Sequence, residues 1–111
     1  MITRTIVRGT QYRPRIAYRN KNTGEAFTVT AYTCKWALKA NVGDTEYAVD
    51  PVAGTTSTCY ADFTVDAADT AALTPGTYYA GALLLLGTEV IRRDQYALVI
   101  GEEIYTGEPA P

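Results

Sequence analysis

Apolar and polar residues alternate at every second position through most of the chain, the spacing of strands with one face buried. In residues 30–40, TAYTCKWALKA, the side chains of Tyr32, Cys34, Trp36 and Leu38 share one face, and Thr33, Lys35, Ala37 and Lys39 take the other. In residues 57–65, STCYADFTV, the set Cys59, Ala61, Phe63 and Val65 opposes Tyr60, Asp62 and Thr64. In residues 11–20, QYRPRIAYRN, the set Tyr12, Pro14, Ile16 and Tyr18 opposes Arg13, Arg15 and Arg19. Pro14 has no amide hydrogen for a ladder, which predicts an edge position or a bulge. A first strand is expected in TRTIVR (3–8) and a short one in TEYAV (45–49), between the turn signals NVGD and DPVAGT. TYYAGALLLL (77–86) and TEVIRRDQYALVI (88–100) predict a closing hairpin joined near Gly87. About seven antiparallel strands, with turns every 8 to 12 residues, predict a two-layer β-sandwich. It would span residues 1–100, followed by an extended acidic tail over 101–111.

One stretch breaks the alternation. In VDAADTAALTPGTYYAGALLLL (65–86), Asp66 is placed to cap a short helical turn over 67–72, with Asp69 at its third position, where the helix dipole favours negative charge. Leu73 would plug the end of the sandwich, and Pro75 and Gly76 would stop the turn. Tyr78 then enters the next strand. In immunoglobulin-like sandwiches a tyrosine at this crossover bonds back to the main chain and pins the corner. Asp66, Asp69, Pro75, Gly76 and Tyr78 therefore read as a structural corner, not as an acid/base pair. The strand that follows is apolar on both faces, with Tyr78, Ala80, Ala82, Leu84 and Leu86 on one and Tyr79, Gly81, Leu83 and Leu85 on the other. A sandwich strand needs only one apolar face. The second face predicts a curled strand, cover by the tail, or a patch of Tyr79, Leu83 and Leu85 that binds another subunit.

Composition narrows the chemistry. The chain has 111 residues and a formal charge of −2. Residues 1–40 hold eight bases against Glu25, which leaves +7, and residues 41–111 hold eleven acids against Arg92 and Arg93, which leaves −9. Either the two sets mix in the fold or they make a two-sided surface suited to docking. The acidic balance and the absence of a recognition motif argue against nucleic acid. No apolar run is long enough for a membrane span, and the start, MITRTIVRGT, lacks the pattern of a secretory signal. Synthesis in a cytoplasm is the expectation, and with it two buried free thiols at Cys34 and Cys59 in preference to a disulfide. The chain has no histidine and one serine, Ser57. Histidine-assisted nucleophiles are thereby excluded, no C-x-x-C pair suggests zinc, and no glycine-rich phosphate loop is present. No catalytic residue, cofactor or metal is expected.

The segment Asp69, Ala71, Leu73, Pro75, Gly76, Tyr78, with the hairpin after it, resembles small immunoglobulin-like domains of tailed-phage structural proteins, notably the N-terminal domains of baseplate upper proteins. Their opening turn is matched by Arg8-Gly9-Thr10 without its aspartate, and their approach to the central strand by residues 26–33 without its glycine. The resemblance spans roughly residues 5–100 and implies an immunoglobulin-like antiparallel β-sandwich. It further implies a virion structural or adaptor protein of tail, baseplate or neck, made in the host cytoplasm, whose partners are other virion proteins or copies of itself. Arg13, Arg15 and Arg19 would then be solvated or pair with acids of a neighbour, and the tail could reach onto one. The alternative is a carbohydrate- or receptor-binding module using Tyr47, Tyr60 and Tyr105.

Overall fold

The computed structural model describes residues 2–102. Eight strands and one helical turn follow in chain order: β1 (Thr3–Val7), β2 (Arg15–Ala17), β3 (Thr33–Lys39), β4 (Val49–Ala53), β5 (Thr55–Ser57), β6 (Tyr60–Asp62), α1 (Ala67–Ala71), β7 (Gly76–Leu86) and β8 (Glu89–Gly101). They form two sheets, one of five strands in the order β1-β8-β7-β3-β4 and one of three in the order β2-β6-β5. Every strand pairing is antiparallel except β1 with β8, which is parallel from Thr3↔Ala97 to Val7↔Gly101.

The alternation read from the sequence sets the core. Cys34, Trp36 and Leu38 of β3, Ala80, Ala82 and Leu84 of β7, and Tyr96, Leu98 and Ile100 of β8 bury against Tyr18, Val29, Ala61, Phe63 and Val65 from the other layer. Burying one large apolar side chain stabilises by about 1.5–3 kcal/mol, so this face dominates the energetics of the fold. The opposing residues Arg13, Arg15, Arg19, Thr33 and Lys35 are exposed. Pro14 lies at the edge of the three-stranded sheet, where its carbonyl accepts the Phe63 amide at 3.0 Å.

Three local expectations change. The strand expected at 45–49 begins instead at Val49 and runs through Pro51, which had read as part of a turn. β4 is an edge strand of its sheet, so a proline without an amide hydrogen is accommodated there. Gly54 alone then carries the chain from β4 to β5 in the opposite sheet. A Cβ built on it would fall 2.5 Å from Phe63 Cδ1 and 2.6 Å from the Asp62 carbonyl. Secondly, Asp66 has the main-chain conformation of an N-cap, yet its side chain makes no capping hydrogen bond. Its carboxylate stays exposed, and the turn is held from elsewhere. Thr70, 2% exposed, donates its hydroxyl to the Thr10 carbonyl at 2.8 Å. Arg8 donates Nε and Nη2 to the Ala71 carbonyl at 3.0 and 2.8 Å, closing the free end of α1. Thirdly, Cys34 and Cys59 are both free, but Cys59 is only partly buried.

The rest of the corner forms as the residues predict. Leu73 is buried, and Tyr78 donates its hydroxyl to the Thr74 carbonyl at 2.7 Å. The β7–β8 hairpin turns at Gly87 with φ 64°, a left-handed conformation that glycine adopts without strain. β8 ends at Gly101; the predicted tail lies outside the described residues beyond Glu102.

Candidate functional site

β7 is the middle strand of the larger sheet, which decides what becomes of its second apolar face. Tyr79, Gly81, Leu83 and Leu85 point away from the core and are half-buried. In register, Tyr79 lies beside Lys39 and Ala97, Leu83 beside Lys35 and Arg93, and Leu85 beside Thr33 and Val90. Lys35, Lys39 and Arg93 are thus register neighbours of these apolar residues, and long basic side chains can cover apolar surface with their stems while the charge stays in water.

Gly81 makes the centre of this face concave. Its register partners are Ala37 on β3 and Gln95 on β8, and nothing stands within 4 Å of where its Cβ would be. The hollow, of about 210 Å³, is walled by Tyr79 and Leu83 and rimmed by Lys39, Val42, Tyr47 and Arg93. Val42 is 62% and Tyr47 45% exposed, and the Lys39 ammonium sits 5.0 Å from the centre of the Tyr47 ring. Val42 and Tyr47 come from the loop between β3 and β4, which folds over the outer face; Tyr47 is a candidate from the sequence and Val42 is not. The arrangement is apolar in the middle and basic at the rim, suited to contact with another macromolecule.

The residues nominated from the sequence do not form one site. Tyr79, Leu83 and Leu85 lie on the outer face of the five-stranded sheet. Arg13, Arg15 and Arg19 lie on the three-stranded layer. Arg15 is engaged within the chain: Nε and Nη2 donate to the two Asp62 carboxylate oxygens at 2.6 and 3.2 Å, and its guanidinium covers the Tyr60 ring at 4.4 Å. That hydrogen bond, with the Asp62 charge, raises the Arg15 pKa further. Arg13 donates to the Gln11 side chain and Arg19 to the Gly24 carbonyl. The pairing of Arg15 with Asp62 also joins the basic first part of the chain to its acidic remainder. Tyr47 and Tyr60 sit on opposite layers, and Tyr105 is outside the described residues, so these tyrosines do not make a shared sugar platform.

Arg92 and Arg93 face opposite sides, as alternation requires. Arg92 lies 5.6 Å from the centre of the buried Tyr18 ring, and Arg93 is exposed at the hollow. Among the described residues there is no cluster of three metal-ligating side chains and no helix long and apolar enough to cross a membrane.

No protein-family model matches the chain, and no curated protein is matched in sequence. Among solved structures the chain is similar to the NK cell receptor Nkp44, described as a triggering partner in natural cytotoxicity. The TM-score is 0.52 at 11% identity, over 90% of this chain and 97% of that one. Likeness at that identity concerns the fold, and the fold is an immunoglobulin-like β-sandwich. Antibody domains place the second cysteine of an inter-sheet disulfide two residues after the corner tyrosine. Here that position is Ala80.

Proposed function

We propose that the protein is a non-enzymatic assembly module, a structural or adaptor component of a tailed-phage particle at its tail, baseplate or neck. It would bind other virion proteins or copies of itself through the outer face of the five-stranded sheet. The observation that carries the binding role is the hollow over Gly81, with Tyr79, Leu83 and Leu85 left half-exposed on a central strand where core packing asks nothing of them. The particle setting rests on the resemblance of the segment from Asp69 to Tyr78.

The test is the double substitution Leu83→Glu, Leu85→Glu. Circular dichroism should match the parent, because neither side chain is in the core, while light scattering should show loss of higher-order association. A parent chain that is monomeric at high concentration, or a variant that associates equally well, overturns the reading. Arg13→Glu with Arg19→Glu, on the other layer, serves as the control and should leave this association intact.

A second reading, a carbohydrate- or receptor-binding module, draws on the exposed Tyr47 beside the hollow, an aromatic face of the kind that stacks on sugars. A glycan array whose hits vanish with Tyr47→Ala would favour it over assembly.

A further inference from the structure

A separate feature lies on the other side of the sandwich. β1 joins the five-stranded sheet beside β8, and β2 forms the edge of the three-stranded sheet with β6 as its one neighbour among the described residues. In constant-type immunoglobulin domains the first strand stays in the corresponding layer and covers that edge, giving the four-stranded sheet ABED. Here the departure of β1 leaves β2 uncovered, and a groove of about 540 Å³ opens between β2 and the strands β1 and β8.

One wall of the groove is the β2 edge and the segment that leads into it. Residues 13–17 line it in unbroken succession. Hydrogen bonds on the β6 side belong to alternate residues: the Tyr12 amide to the Val65 carbonyl, the Pro14 carbonyl from the Phe63 amide, and the Tyr18 amide to the Cys59 carbonyl. By the period of a strand, the amides and carbonyls of Arg13, Arg15 and Ala17 point the other way, into the groove. The missing amide of Pro14 falls on the β6 side, so it removes nothing from the open edge. A proline that would ordinarily blunt a free edge leaves this one with its donors complete.

We infer that the open edge of β2 takes an extended peptide strand in which acidic and aliphatic residues alternate, supplied by a partner protein. Main-chain pairing to Arg13, Arg15 and Ala17 would hold it, as when a strand is added to any free sheet edge. Its acidic side chains would lie on the face of Arg13 and of Arg15, whose charge is already shared with Asp62, opposite Arg4 on the far wall; its aliphatic ones would point inward beside Tyr12 and Ile16, where an acid would meet Asp94. The charges also argue against a second copy of β2 as occupant, because that pairing sets Arg13 and Arg15 against their own images. This surface is distinct from the outer face of the larger sheet and does not depend on assembly through it.

The experiment is an amide-resolved NMR titration of the intact chain with Glu-Val-Glu-Val-Glu-Val, blocked at both ends, and with its Lys-for-Glu counterpart. The acidic peptide should shift and protect the amides of Arg13, Arg15 and Ala17, and the basic one should leave them unchanged. Methylating alternate peptide nitrogens should abolish the effect, since it removes the ladder donors and leaves the charges. Arg4→Glu with Arg13→Glu, both exposed positions, should weaken binding roughly fivefold or more. Loss of Leu83 and Leu85 to glutamate should not alter it. Absence of shifts at millimolar acidic peptide, equal binding of the basic peptide, undiminished binding of the methylated one, or shifts on the outer face of the larger sheet would each overturn the inference.

Discussion

The hydroxyl oxygens of Tyr12 and Tyr96 lie 2.7 Å apart, joining the segment that leads into β2 to β8 in the opposite sheet. Trp36 completes the group. Its Nε1 donates to Tyr96 Oη at 3.0 Å, and its ring meets that of Tyr12 edge-on at 5.9 Å. A polar bridge thus links the two layers of a sandwich whose cysteines are both free. Tyr96→Phe removes both hydrogen bonds and strands the Trp36 donor, so it should cost about 1–3 kcal/mol in urea denaturation. Trp36→Ala should cost about 3–5 kcal/mol, because it also empties the centre of the core.

Two buried tyrosines, Tyr18 and Tyr96, and the half-buried Tyr12 should make the fold less stable at alkaline pH. Burial raises the Tyr12, Tyr18 and Tyr96 pKa values above the ordinary 10.0, Tyr18 to about 12 with the nearby Asp94 charge adding to the effect. A folded pKa above the unfolded one contributes stability that is complete below the unfolded value and is lost as pH rises toward the folded value. Denaturation midpoints should therefore hold steady in this respect up to about pH 10 and fall beyond it, the Tyr18 share being spent by about pH 12. Tyr18 Oη is buried without a hydrogen-bond partner among the described residues. Tyr18→Phe should accordingly stabilise the chain by about 1 kcal/mol at neutral pH and flatten the alkaline decline. A midpoint that drops with Tyr18→Phe contradicts this account.

The corner makes a contrast between two residues of similar sequence rank. Thr70→Val removes a buried hydroxyl bonded to the Thr10 carbonyl and should cost about 1–2 kcal/mol. Asp66→Ala removes a carboxylate that caps nothing and should cost well under the ~1 kcal/mol ordinary for an N-cap. Thermal melts of the two variants decide it, and a larger loss for Asp66→Ala reverses the assignment.

Gly54 is required by space. Its Cβ would overlap the Phe63 ring and the Asp62 carbonyl, and the main-chain oxygen has no room to yield. Gly54→Ala should destabilise by about 1–3 kcal/mol or more, as overpacking does. The paired variant Gly54→Ala, Phe63→Leu should recover only part, since the carbonyl contact persists. Full recovery would place the whole conflict in the ring.

Thr58 turns the β5–β6 hairpin with φ 48°, a left-handed conformation that a β-branched residue pays for. Thr58→Asn should raise stability by roughly 0.5–1 kcal/mol, because asparagine tolerates that region better. An unchanged or lowered midpoint in guanidinium would show that the turn carries no such strain.

Much of this was legible in the residues themselves. Alternation placed Trp36, Leu38, Phe63 and Val65 inside and Arg13, Arg15 and Lys35 outside, because strand geometry sends successive side chains to opposite faces. The Leu73–Tyr78 segment announced its own corner through local chemistry, with a proline, a glycine and a tyrosine at fixed offsets. Arg8 and Thr70 were not found, since each acts on a main-chain carbonyl more than sixty positions away or nearly so. Carbonyls are present at every residue, so nothing in the string marks those two as partners. The hollow over Gly81 was half visible: its walls Tyr79 and Leu83 stood out as surplus apolar residues, while part of its rim, Val42 and Tyr47, came from a loop.

Sequence alone determined which side of most strands is apolar, where several of the turns fall, and that no histidine is available for chemistry. Those properties depend on residues a few positions apart and on their solvation. Tertiary structure decided which strands are neighbours: that β7 lies at the centre of its sheet, that β1 leaves the smaller layer for β8, and that β2 is left with an open edge. Main-chain hydrogen bonds look alike at every position, so strand order is chosen by the packing of the whole core, and the surfaces available to partners follow from that order.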